Sequence, residues 1–254
     1  MYVLTISCQK GGTGKTTTVL AIGAEIYKAG YRVLFVDCDP QANLTRAELE
    51  QPFTSGLYDV LRGTHKTADA IATGRNGDIL PSDGRMAQGG KLAALAGAEP
   101  EYRLKRALKA VAGDYDVCII DTAPTLGELT IAALIAADGV IVPMRADRYS
   151  LYGLQDFYST FQTVRTSTTN SKLKLLGIIL TDYSGRSTLA RDVADAIRQQ
   201  AKAIKTTVYE PPIRHTVSAQ EWQYTGHSSG STAAKDYEEV TKKIIADMRL
   251  KGRK

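Results

Sequence analysis

The chain has 254 residues, 43% of them hydrophobic and 23% charged, with a formal net charge of +5. Those proportions exclude a disordered chain, and no apolar run approaches the roughly 18 residues of a membrane-spanning helix. Three scattered histidines lack metal-ligand spacing, three cysteines lie inside apolar runs as reduced thiols would, and the first residues carry no secretion signal, so a cytoplasmic protein is expected.

In chain order, an apolar strand candidate at Val3–Ile6 is followed by a helical stretch over Lys15–Ala29 and a second strand at Val33–Val36. The Gly-rich segment from Leu44 to Gly97 holds short helical pieces at Leu57–Leu61 and Thr67–Ala72 and reads as an excursion within one domain. Helix Glu101–Ala112, strand Val117–Ile120, helix Thr130–Ala137 and strand Val140–Val142 come next. Helix Leu151–Ser167, strand Leu175–Leu180 and helices Thr188–Ala201 and Ala233–Leu250 complete the chain. The strands are continuously apolar, which suits burial on both faces, and they alternate with helices. The expected fold is therefore α/β: a doubly wound, mostly parallel sheet flanked by helices, spanning residues 1–254 as one domain.

The first strand runs into Cys8-Gln9-Lys10-Gly11-Gly12-Thr13-Gly14-Lys15-Thr16-Thr17, which opens the first helix. Glycines let successive N–H groups converge on phosphate oxygens, and a helix N-terminus behind them favours negative charge. Gly11, Gly12, Thr13 and Gly14 form the cradle. Lys15 reaches the β- and γ-phosphates of ATP, the Thr16 hydroxyl ligates Mg²⁺, and Thr17 touches the α-phosphate. The usual G-x-x-x-x-G-K-[ST] spacing departs at Gln9, where the first glycine belongs, and an additional lysine, Lys10, precedes the glycine pair.

Two aspartate motifs stand where strands end: Asp37-Cys38-Asp39-Pro40 and Asp121-Thr122-Ala123-Pro124. Ligands bind outside the carboxyl ends of such strands. Asp121 suits Mg²⁺ through an intervening water, Asp37 supports the metal region, and Asp39 orients the attacking water. Each aspartate alone is equally an N-cap or turn residue; their joint occurrence with the loop favours the nucleotide roles.

Three segments together resemble the ParA/Soj branch of the deviant Walker A P-loop ATPases: Lys10-Gly-Gly-Thr-Gly-Lys-Thr-Thr17, Val36-Asp-Cys-Asp-Pro-Gln-Ala-Asn43 and Ile120-Asp-Thr-Ala-Pro-Thr-Leu-Gly127. The likeness continues through Tyr102–Leu108, Ala136–Pro143, Leu151–Leu154, Gly177–Thr181 and Lys235–Tyr237. It implies an ATP-dependent homodimer in which Lys10 crosses to the partner's phosphates, as an arginine finger would. It also implies non-specific DNA as the bound surface and a ParB-type protein that stimulates hydrolysis, which places the protein on the nucleoid during chromosome or plasmid partition.

Thirteen basic and nine acidic residues fall between Asp182 and Lys254, so most of the positive excess is C-terminal. The resemblance points to Arg186 and Arg214 as DNA contacts, a solvated surface charge being the competing reading for either. Pro212, with Thr181 and Asp182, is offered for the adenine. No helix-turn-helix extension is expected before the first strand. In a MinD-like membrane switch, the alternative from another class, Tyr237, Val240, Ile244 and Met248 would be a lipid-facing stripe ahead of Arg249, Lys251, Arg253 and Lys254. The favoured reading packs that stripe on the sheet. A ParA-like ATPase that positions a cargo other than DNA is a further alternative.

Overall fold

A run of apolar residues without polar alternation must be covered on both sides, and the chain meets that demand with helices on two faces of one sheet. The computed structural model describes residues 1–88, 99–167, 170–216 and 230–250. Among these, eight strands are β1 (Tyr2–Ile6), β2 (Val33–Cys38), β3 (Ala72–Thr73), β4 (Asp78–Leu80), β5 (Val117–Thr122), β6 (Gly139–Arg145), β7 (Lys174–Thr181) and β8 (Val208–Tyr209). They pair in the order β3-β4-β2-β5-β1-β6-β7-β8. Every pairing is parallel except that of edge strand β3 with β4.

The described helices are α1 (Lys15–Lys28), α2 (Asn43–Glu48), α3 (Leu57–Arg62), α4 (Arg85–Gln88), α5 (Arg103–Ala110), α6 (Glu128–Ala136), α7 (Ser150–Ser167), α8 (Thr188–Ala203) and α9 (Thr232–Met248). Alternate strand residues feed two separate cores. Leu4, Ile6, Phe35, Val117 and Ile119 pack with α1, α2 and α9. Leu34, Val36, Cys118, Ile120 and Val142 pack with α3 and α5 to α8. The expected doubly wound sheet is present.

Gly23 sets the distance between α1 and the sheet. A Cβ there would lie 2.2 Å from the Phe35 ring, so only glycine lets the helix seat this closely. The helix also docks on α9, where the hydroxyls of Thr18 and Tyr237 lie 2.9 Å apart. Tyr237, Val240, Ile244 and Met248 are all buried in that contact, so the stripe serves the core. Residues Lys251 to Lys254 lie outside the described residues.

Most expected elements appear with ends shifted by one to three residues. The differences concentrate in the Gly-rich excursion. Thr67–Ala72 is a single 3-10 turn, Ala68–Ala70, leading into β3 instead of a longer helical piece. A 3-10 turn at Pro100–Tyr102 also replaces the first residues of the expected helix before α5. Strands β2 and β5 run on to include Asp37 and Asp121, because these two carboxyl-bearing residues are themselves paired in the ladder.

Candidate functional site

The carboxyl ends of β1, β2 and β5, three adjacent strands, bring the loop and both aspartate motifs to one place. Gly12 and Gly14 have φ of 71° and 79°, left-handed values that side chains disfavour, and they turn the loop into α1. Gly14 is the N-cap and offers no side-chain acceptor, so the first N–H groups of α1 stay available to an anion. Thr181 braces the loop from β7, its hydroxyl donating to the Thr13 carbonyl at 2.8 Å with the Met144 carbonyl at 3.2 Å. On the other side, a Cβ on Gly11 would lie 4.0 Å from that of Pro124, so the Asp121–Pro124 segment flanks the cradle.

Lys15 is buried, and its ammonium donates to the Lys10 carbonyl at 3.0 Å. Burial lowers its pKa, opposed by the nearby Cys8, Asp121 and Asp39. Thr16 Oγ1 donates to Asp121 Oδ2 at 2.6 Å, while Asp121 Oδ1 is buried with no hydrogen-bond partner. Burial, with Asp37 alongside, pushes the Asp121 carboxyl up to about 8. A buried carboxylate oxygen without a hydrogen-bond partner, beside a hydroxyl, is a hard-oxygen donor set, and the residues present fit Mg²⁺.

Asp37 stands opposite Asp121 in the strand register and is fully buried. Desolvation pushes it up to about 6, against hydrogen bonds from Thr45 and Asp39. Its Oδ1 accepts from the Asp39 N–H at 3.0 Å, and its Oδ2 accepts from the Thr45 N–H at 2.9 Å and hydroxyl at 2.7 Å. Asp37 therefore holds its own turn together behind the cradle. Asp39, which is also buried, accepts the Gln41 N–H on Oδ1 at 2.9 Å. The turn ends at Ala42, with φ of 53°, and α2 begins.

Lys10 lies at the rim, a third exposed, and its ammonium pairs with Asp147. It also stands 5.9 Å above the Tyr149 ring. Burial raises the Asp147 pKa, but bonds from Lys10 and Ser150 more than offset this and hold the carboxyl below its usual range. Gly11 and Gly12 are exposed, and Thr16 and Thr17 are half-buried at the start of α1.

Away from the loop the expected contacts divide. Pro212 is half-buried in the segment whose Ile213 N–H donates to the Leu180 carbonyl at the end of β7. Asp182, offered with it for the base, pairs instead with Arg145 and His215. Arg186 is exposed in the turn before α8. Arg214 is not an open cation: its guanidinium donates to both oxygens of Asp236, whose side chain is 2% exposed, at 2.9 and 2.6 Å. The Arg214 side chain is nevertheless 55% exposed. Thr45 and Asp147 carried no sequence signal, since each meets the site only through the fold.

A family model described as an AAA domain matches residues 1–175. The sporulation initiation inhibitor protein Soj of Bacillus subtilis (strain 168) is 34% identical over 258 residues, covering 96% of this chain and 98% of that one. The chromosome partitioning protein ParA of Caulobacter vibrioides (strain NA1000 / CB15N) is 37% identical over 228 residues, covering 87% and 83%. A cobyrinic acid a,c-diamide synthase from Mycobacterium smegmatis, solved with an ATP analog and magnesium, superposes with a TM-score of 0.85 at 36% identity, covering 100% of this chain and 98% of that one. Apo McdA from Cyanothece gives 0.85 at 25% identity, covering 96% and 99%. By the match over residues 1–175 and the near full-length likeness to Soj, the chain belongs to the ParA/Soj family of P-loop ATPases.

Proposed function

We propose that this ParA-type ATPase forms a sandwich dimer with ATP, binds DNA without sequence preference in that state, and is released when a ParB-type partner stimulates hydrolysis. The reading places it in the cytoplasm, on the nucleoid, in chromosome or plasmid partition. One observation carries it: Lys15, Thr16, Asp121 and Asp39 converge around a single loop, while Lys10 stands at the rim of the same loop with a separate, half-buried partner, Asp147. A lysine that served only its own subunit's phosphates would not need that outward position.

In this reading the N–H groups of Gly11 to Lys15 bind the phosphates, and the Lys15 ammonium bridges them. Thr16 and, through water, Asp121 hold Mg²⁺, with Asp37 behind them. The bound cation neutralises charge on the triphosphate. Asp39 orients the attacking water, Thr17 lies toward the α-phosphate, and the Pro212 segment toward the base. Lys10 of each subunit reaches the partner's phosphates, so assembly depends on the γ-phosphate. The buried stripe of α9 leaves a membrane-positioning role without its main support among the described residues. A DNA titration with ATP, ADP and a non-hydrolysable analogue at two salt concentrations tests the reading. Binding confined to the triphosphate states and steeply weakened by salt is expected. Triphosphate-dependent pelleting with lipid vesicles in place of DNA would overturn it.

A further inference from the structure

We infer that Thr45 is a positioning residue for hydrolysis, fixing the turn that carries Asp39 through two bonds to Asp37 and one to the backbone of Ser82. The inference rests on the reading of Asp39 as the group that orients water.

A threonine hydroxyl has one proton to give. Here Thr45 Oγ1 accepts the Ser82 N–H at 2.9 Å and lies 2.7 Å from Asp37 Oδ2. The amide can only donate, and the carboxylate can only accept. The hydroxyl proton therefore points at Asp37, and the residue's own N–H donates to the same oxygen at 2.9 Å. Thr45 is 4% exposed, so no solvent replaces these bonds when one is removed.

The chain of bonds continues to the reacting region. Asp37 Oδ1 accepts the Asp39 N–H at 3.0 Å, so wherever Thr45 holds the Asp37 carboxylate, the backbone of Asp39 follows. From Ser82 the tie runs into the neighbouring segment, where the Pro81 carbonyl accepts the Leu57 N–H at 2.8 Å at the start of α3. The Asp39 turn is thus pinned from outside through the segment after β4 and the start of α3, while inside the turn the Gln41 N–H donates to Asp39 Oδ1 and the Ala42 N–H to the Asp39 carbonyl, each at 2.9 Å. The hydrogen bonds of the Thr45 N–H and hydroxyl go to Asp37 and Ser82, none of them to the loop. Its loss should misplace the water-orienting carboxylate while leaving the ATP cradle intact.

The test compares steady-state ATPase kinetics and thermal midpoints of the full-length wild type, Thr45→Val, Thr45→Ser and Asp39→Ala. Thr45→Val keeps the shape and loses the hydroxyl. It should lower kcat about tenfold with the KM for ATP within about twofold, the loss expected when one bond to a charged group is removed. Thr45→Ser keeps the hydroxyl and should restore kcat. Should the valine variant not fold, Thr45→Ala carries the same comparison against serine. An unchanged kcat in Thr45→Val, or an equal loss in Thr45→Ser, would overturn the inference while Asp39→Ala remains impaired. If Asp39→Ala itself turns over normally, the reading of Asp39 fails instead, and the two failures stay distinct.

Discussion

Thr16 and Asp121 are 105 positions apart, yet the Thr16 hydroxyl donates to Asp121 Oδ2 at 2.6 Å and ties the first turn of α1 to the end of β5. The same carboxyl leaves Oδ1 buried and unpartnered. A site built this way sacrifices stability in the free protein to keep an oxygen ready for a cation.

The sacrifice is measurable. The Asp121 carboxyl rises from 3.8 to about 8, chiefly through burial, so its folded form prefers the proton. Its contribution to stability is complete below the unfolded value and is lost as pH rises toward 8. Asp37, raised to about 6, acts in the same direction. Asp121→Asn should match the wild type near pH 4 and then exceed it increasingly with pH. By pH 8 the gain should be at least about 1 kcal/mol, roughly 2–4 °C in thermal midpoint. Mg²⁺-dependent hydrolysis should fall at least about tenfold. Melting curves of the nucleotide-free proteins from pH 4 to 8 check the sign; a wild type that stays the more stable at pH 8 contradicts it.

Gly23→Ala should destabilise the fold by about 1–3 kcal/mol, the cost of overpacking. The added Cβ would approach to 2.2 Å from the Phe35 ring, which is itself fully buried and cannot retreat. Urea denaturation measures this directly, and a shift under about 0.5 kcal/mol would show that α1 can lift away from the sheet.

Arg214→Ala and Arg186→Ala should separate stability from DNA binding. Removing the Arg214 side chain takes the guanidinium from the buried Asp236 carboxylate and should lower the melting midpoint, although the backbone N–H of residue 214 still donates to that carboxylate. Removing exposed Arg186 should leave the midpoint alone and flatten the slope of log affinity against log salt by roughly one. Thermal melts beside salt-dependent DNA titrations distinguish them; a destabilised Arg186→Ala or a fully stable Arg214→Ala would reverse the assignment.

Asp147→Asn releases Lys10 from its ion pair. The two side chains are 32% and 36% exposed, so the pair contributes at most about 1 kcal/mol. The variant should melt within about 2 °C of the wild type and tighten ATP-dependent dimerisation by up to about fivefold. A weaker dimer would mean that Asp147 serves the interface itself.

The loop and its helix were legible because local spacing specifies them: Gly14-Lys15-Thr16 after an apolar strand has few other uses. The central strands were legible for the same reason. Strands β3, β4 and β8 were not, since two or three residues carry no periodicity and owe their pairing to the neighbouring strand. Thr45 was invisible because its bonds to Asp37 require Ala42 to turn into the left-handed region, a demand no residue type announces. Asp147 meets Lys10 only through the adjacency of β1 and β6. The ion pair of Arg214 was not legible either, since its buried acid, Asp236, lies on α9 and meets it only through the fold.

The most direct test of the whole account is the mass of the wild type and of Lys10→Ala by sedimentation velocity, each with Mg²⁺ and a non-hydrolysable ATP analogue. The account predicts a wild-type dimer and a Lys10→Ala monomer that keeps the wild-type melting midpoint. A Lys10→Ala protein that dimerises with the analogue as the wild type does would contradict it.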